Sequence, residues 1–253
     1  MRYFTFTIFA LLCAGFLSAQ DALVVDYEMY TKINLDDLQR SSNSPISNKE
    51  WQDAMEEAMA KPSYYQLTLT PEESIYEYVE KIDNQQKDEG RRVMVRFGSQ
   101  GKLYKNLNEN LTLKEANNFN SDYLINDTIA NYDWKITRET KEVLGYETRK
   151  ATAVVDSTRS ITAWYAPKLA FKNGPESLNG LPGLILQAEV IQSKNKNTQT
   201  QTYTAIALNV GNEKTKIQRP KKGKKVTNQE FKIAIEKQME KMKEMRGDGV
   251  DKD

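Results

Sequence analysis

Gly180-Leu181-Pro182-Gly183-Leu184-Ile185-Leu186 decides how this chain folds, because a glycine and proline corner opens there directly into the most apolar run outside the N-terminus. Pro182 fixes its own φ and holds Leu181 in extended geometry. Gly183 suits the third position of a type II turn, where φ is positive. The stretch predicts a sharp turn followed by a strand. None of its side chains can transfer a proton, bind a metal or attack a carbonyl, so its role is structural.

The pattern on both sides of this corner is β. Downstream, residues 184–192 and 198–210 read as a hairpin, with threonine at every second position from Thr198 to Thr204, which makes half of that strand polar. Upstream, residues 134–140, 146–156 and 160–165 flank turns at Leu144-Gly145 and Asp156-Ser157 and read as a meander. An earlier meander starts where Leu23, Val25, Tyr27 and Met29 alternate with Val24, Asp26, Glu28 and Tyr30, and continues through residues 63–70, 74–81 and 91–98. Residues 101–113 predict one more strand and 123–128 a short one. Ser47 and Glu50 form a capping box ahead of Trp51, Met55, Ala58 and Met59, one face of a helix that Pro62 stops. Past Gly211 a basic linker, 213–226, leads to a second capping box at Thr227 and Glu230. A C-terminal amphipathic helix over 227–246 follows, striped by Phe231, Ile235, Met239 and Met242.

Composition narrows the chemistry. The chain has no histidine, which excludes Ser/His/Asp and Cys/His hydrolases, His-ligated zinc and histidine proton shuttles, leaving carboxylate, Lys, Tyr or Ser/Lys chemistry. Its 36 basic and 35 acidic residues balance, so it lacks the basic footprint of a nucleic-acid binder. Residues 1–19 read as a secretory signal: Met1-Arg2, an apolar core over 3–16, then Leu17-Ser18-Ala19. Cys13 is the sole cysteine, and Leu12 stands before it where a lipoprotein signal wants a small residue. Cleavage after Ala19 leaves a thiol-free chain of about 230 residues that its core alone must stabilise.

Trp164-Tyr165-Ala166-Pro167, then Gly174-Pro175, then Gly180 to Leu186, in this order and spacing, resemble the GLPGLI family. Residues 134–140, Gly145-Tyr146 and Lys150-Ala151-Thr152 resemble the segment that precedes that motif, so the likeness covers residues 21–210. The resemblance implies an uncharacterised exported protein of Bacteroidota, in the periplasm or outer cell envelope. Its members are often encoded beside TonB-dependent outer-membrane receptors, which implies a periplasmic or envelope setting but no activity. It supplies no catalytic residue and no cofactor; what it marks is the motif Gly180, Leu181, Pro182, Gly183, Leu184 and Ile185.

Each remaining cluster has a plain structural reading beside its chemical one. Met239, Met242 and Met245 have the spacing of a soft-metal site, but Phe231 and Ile235 extend the same face, so packing explains them better and no metal site is assigned. The acidic pairs Asp26/Glu28, Asp36/Asp37 and Glu56/Glu57 would serve a glycosidase if two faced each other across a cleft; adjacent acids are ordinarily solvated surface. Ser177 near Lys172 makes a weak Ser/Lys pair. Lys221, Lys222, Lys224 and Lys225 suit an anionic surface or a solvated linker, and Trp51, Trp134 and Trp164 suit a groove or plain core.

The reading is therefore a mainly β protein: an antiparallel meander sheet forming an open or half barrel, with one inserted helix and a C-terminal helix, and a β-sandwich as the alternative. Its domains are a signal peptide at 1–19, a β-rich domain at 20–212, the linker at 213–226 and the helix at 227–246. The expected function is a non-enzymatic envelope binding or accessory protein working with an outer-membrane receptor and without a cofactor. A periplasmic carrier of an apolar, lipid-like ligand comes second and a carboxylate-based hydrolase third. Nucleic acid and a membrane span are not expected. The intact mass of protein purified from the envelope should correspond to a chain beginning at Gln20; acyl chains on Cys13 would make it a lipoprotein instead.

Overall fold

The structure, a computed structural model, describes residues 22–34, 48–81, 95, 97–118, 121–194, 197–211 and 215–247. The signal segment, the cap at Ser47, Asp36, Asp37 and most of the strand expected over 91–98 lie outside the described residues. The first meander runs through β1 (Leu23–Ile33), β2 (Ser63–Leu69), β3 (Glu73–Val79), β4 (Leu103–Asn106), β5 (Leu111–Asn118) and β6 (Ser121–Thr128). The second runs through β7 (Lys135–Val143), β8 (Tyr146–Val154), β9 (Arg159–Ala166), β10 (Leu184–Lys194) and β11 (Asn197–Val210). Helix α1 (Asn48–Ala60) enters between β1 and β2; a short β12 (Lys224–Val226) leads into α2 (Asn228–Gly247).

All twelve strands form one sheet in the order β12-β6-β5-β4-β3-β2-β1-β11-β10-β9-β8-β7. The β-sandwich alternative is thereby excluded. Every pair is antiparallel except β12 with β6, and the two meanders are joined where the first strand pairs with the last long one, Leu23 opposite Val210. Chain connectivity then dictates curvature. β6 is second and β7 twelfth in that order, ten spacings apart, or about 48 Å across a flat sheet. The link from Thr128 to Lys135 spans about 25 Å at full extension. A flat sheet cannot satisfy both lengths, so the sheet curls into an open half barrel.

The inward face carries Val25, Tyr27, Met29, Leu67, Tyr76, Leu103, Ile161, Ala188 and Tyr203, all buried. What fills the trough is the segment between β9 and β10, which brings Phe171, Leu178 and Leu181 into the same core. The Tyr27 hydroxyl donates to the Ile185 carbonyl at 2.6 Å, and the Tyr65 ring stacks on Tyr76 with centroids 4.8 Å apart. On the opposite face of the first meander, Tyr104, Leu113 and Leu124 make a smaller core covered by Ile217. The described part of the basic stretch, 215–226, is thus packed as well as basic: besides Ile217 it holds Arg219, paired with Glu109 at 3.0 Å, and β12.

Two local expectations change and a third holds. The single strand over 101–113 is two, β4 and β5, because Asn110 takes a φ of 50° and reverses the chain. The stripe of α2 packs only at its start, where Phe231 meets the Tyr123 ring at 5.2 Å; Met239 is 51% exposed. The Thr227/Glu230 box forms, with Glu230 N donating to Thr227 Oγ1 at 3.2 Å and Thr227 N to Glu230 Oε2 at 2.8 Å.

The corner at Pro182 is a three-residue turn, not type II: Gly183 N donates to the Leu181 carbonyl at 2.8 Å, and Leu184 N goes to Leu169. Gly183 is nearly extended. It is required because a Cβ there would collide with the Ala166 carbonyl and sit 3.0 Å from Pro167 Cα. Gly180 is the residue with left-handed geometry, φ 89°, and a Cβ on it would meet nothing closer than Trp134 Nε1 at 3.6 Å. Gly180→Ala should therefore cost about 1 kcal/mol from backbone strain alone. Gly183→Ala should cost about 2–3 kcal/mol because backbone must move. Urea denaturation of both variants checks the order; a milder Gly183 variant would refute the close-approach reading.

Candidate functional site

The deepest chemistry in the fold is structural. Lys105 sits at an inward position of β4, fully buried. The loop between β9 and β10 folds on itself through the Asn173 to Asn179 bridge, and Glu176 takes a φ of 47°. Alternate carbonyls of that loop converge on the lysine: its Nζ donates to Gly174 at 3.1 Å, Glu176 at 2.8 Å and Leu178 at 3.1 Å. When charged, the amino group offers three N–H donors to these three acceptors, and burial opposes that charge. Burial lowers the Lys105 pKa to about 7, with the Glu176 carboxylate opposing.

The sequence-derived candidates lie elsewhere and apart. Asp26 accepts from Gln66 Nε2 at 2.9 Å, and Glu57 pairs with Lys61 at 2.9 Å on an exposed helix face. Ser177 accepts from the Tyr132 hydroxyl at 3.2 Å. Trp134 donates to the Asn179 carbonyl at 2.9 Å, so it braces the loop. Lys222 pairs with Asp122 at 2.7 Å, while Lys224 and Lys225 lie in β12. Among the described residues, no cluster of three or more His, Cys, Asp or Glu has the arrangement of a metal site.

The structure instead opens a groove that the candidate residues touch only at Glu56. β1 outruns β2: Ser63 pairs with Met29, the last pair of that ladder. Helix α1 takes the place of a strand beside residues 30–33, with Ile33 N donating to Met59 Sδ at 3.3 Å and Met55 buried. Across β1, Tyr30 lies opposite Thr202 and Lys32 opposite Thr200, so these four side chains share the outward face. Between that face and α1 lies an open groove of about 1040 Å³ lined by Tyr30, Lys32, Glu56, Thr198, Thr200 and Thr202. Thr31 also lines it, and its buried hydroxyl has no hydrogen-bond partner among the described residues.

Register puts Tyr64 and Trp164 on the same outward face as Tyr30, through Glu28 opposite Tyr64 and through Thr204, Gln187 and Trp164 in a row. Both are capped. Lys81 lies 3.6 Å above the Tyr64 ring and Lys141 4.2 Å above Trp164, Lys141 also donating to Gln187. Tyr30 is 40% exposed. Desolvation first, then the Glu28 carboxylate, pushes its hydroxyl upward, so it stays a neutral donor. The threonine row was the readable signal for this groove; that α1 would stand beside it was not readable.

The profile of the N-glycanase peptide, N-terminal domain family matches residues 106–236. Two solved structures of PNGF-II, in C2 and P21 space groups, are similar at 19% and 21% identity over 85% of this chain, with TM-scores of 0.51 and 0.49. This chain spans about a third of their length, 32% and 33%. No curated protein matches it.

Lys105→Met keeps the volume and leaves three carbonyls without a donor, which should cost on the order of 3 kcal/mol. The wild-type lysine also imposes a pH dependence. Its folded value, about 7, lies below the ordinary 10.5, so between these the unfolded chain binds the extra proton and stability rises with pH, flattening below about 7. Buried Tyr27, Tyr76 and Tyr203, all raised by burial, oppose this only above their ordinary value of 10. Urea melts at pH 7 to 9.5 should show the rise in wild type and its loss in Lys105→Met.

Proposed function

Because this chain belongs to the family of the N-glycanase N-terminal domain, we propose that it acts in the removal of N-linked glycans from glycoproteins, as the part of that enzymatic machinery that engages the glycan-bearing substrate. The match over residues 106–236 carries this reading, and it corrects the expectation of a non-enzymatic envelope accessory, since the family is that of an enzyme. The carrier alternative fails on packing: the trough that would hold an apolar ligand is filled by Phe171, Leu178 and Leu181. The chain is glycosidase-related. The segment 180–185, read above as a GLPGLI motif, falls within the matched region. The signal read at residues 1–19 supports export to the periplasm or outer envelope, and among the described residues no helix is long and apolar enough to cross a membrane.

The test is a titration of the purified chain with an N-glycopeptide and with the same peptide lacking its glycan, with mass spectrometry following glycan release in parallel. Tighter binding of the glycosylated form is expected, and equal affinity for both peptides would refute the reading.

A further inference from the structure

We propose that the groove between α1 and the threonine row of β11 is an oligosaccharide-binding cleft. The inference rests on the N-glycan reading above and deepens it by placing the sugar. At about 1040 Å³, the open groove lies at the upper end of small-ligand sites, with room for more than one sugar ring.

Its lining has the chemistry of a polyhydroxylated ligand. Thr198, Thr200 and Thr202 present hydroxyls that both donate and accept, as sugar hydroxyls do. On one strand face such residues repeat at about 6.7 Å, a row of about 13 Å. β-Branching holds their rotamers, so little side-chain entropy is lost on binding. Lys32 adds a donor and Glu56 an acceptor; one charge of each sign gives no preference for a polyanion. Tyr30 supplies the apolar face that the C–H side of a pyranose ring needs. Among the described residues it carries no lysine over its ring, unlike Tyr64 and Trp164. A lipid would find too many hydroxyls here and a nucleic acid too little positive charge.

Isothermal titration of the whole chain with an oligosaccharide released from N-glycoproteins tests the assignment. The variants are Tyr30→Ala, Tyr30→Phe, the double change Thr200→Val with Thr202→Val, and Trp164→Ala, each checked for an unchanged melting transition. Tyr30→Ala should weaken binding roughly tenfold, Tyr30→Phe should stay near wild type, and the threonine pair should lose roughly tenfold through two hydrogen bonds. Trp164→Ala should bind as wild type. Unchanged affinity in Tyr30→Ala and in the threonine pair, or loss confined to Trp164→Ala, would overturn the groove while leaving the N-glycan reading intact if the glycopeptide is still preferred over its bare peptide. Absence of saturable oligosaccharide binding by wild type would also overturn it, and the N-glycan reading would still be judged separately by the glycopeptide comparison.

Discussion

The Lys105 ammonium, enclosed by three carbonyls of one loop, is the contact on which the rest of this fold depends. A curled sheet with an unfilled trough would expose Tyr27, Leu67 and Tyr76 to water; filling it with chain brings backbone carbonyls into an apolar space where water cannot reach them. The loop between β9 and β10 is too short and too tightly turned to pair all of these carbonyls within itself. One side chain with three donors resolves that cost. When the lysine is charged every N–H is used and the carbonyl dipoles offset part of the cost of burial, which still lowers its pKa to about 7. The Tyr27 bond to Ile185 and the Trp134 bond to Asn179 fix the same loop from two further sides, so the sheet and its filling specify each other.

Curvature follows from connectivity, and curvature leaves edges to protect. β6, at one end of the first meander, is covered by β12. β7, at the other end, turns Lys135, Arg138, Glu139 and Glu142 to solvent, charges that oppose addition of a foreign strand. The parallel β12 is therefore a cover brought from the basic stretch, and Gly223, φ 107°, lets the chain approach there: a Cβ on it would lie 2.8 Å from the Tyr123 carbonyl carbon. The charge run around Lys222 was visible in sequence, but three residues carry too little pattern to announce a strand.

What was legible follows the length of each pattern. Period-two alternation located β1 and β11, strand-forming segments between turn signals located β2, β3 and β8, and the Gly180 to Leu186 corner marked the entry to β10. Ser47 apart, whose placement is outside the described residues, the one readable cap, Thr227 with Glu230, formed as its chemistry required. Lys105 was not legible. In Leu103-Tyr104-Lys105-Asn106 the period of two puts the lysine on the leucine's face while its charge argues for exposure, and only the three-dimensional return of a loop about seventy residues later makes the inward position satisfiable. Gly183 was legible as a requirement but for the wrong reason, since sequence suggests a dihedral angle whereas the constraint is the Ala166 carbonyl across the turn.

The two faces of the sheet have divided roles for the same reason. Once the inward face is committed to Lys105, its loop and the tyrosines around them, a ligand site there would need to displace packed chain, which would dismantle the core. The outward face of β1, β11 and β10 has no such commitment: its threonines, Glu28, Tyr30 and Lys32 face away from the trough. Helix α1 turns part of that flat surface into a concave one by standing where β2 stops, and concavity is what a polar surface needs to hold a neutral, hydrated ligand with several hydrogen bonds at once. Starting β2 only at Ser63, opposite Met29 and four residues short of the end of β1 at Ile33, is thus the local event that makes room for a site in a fold whose interior is fully used.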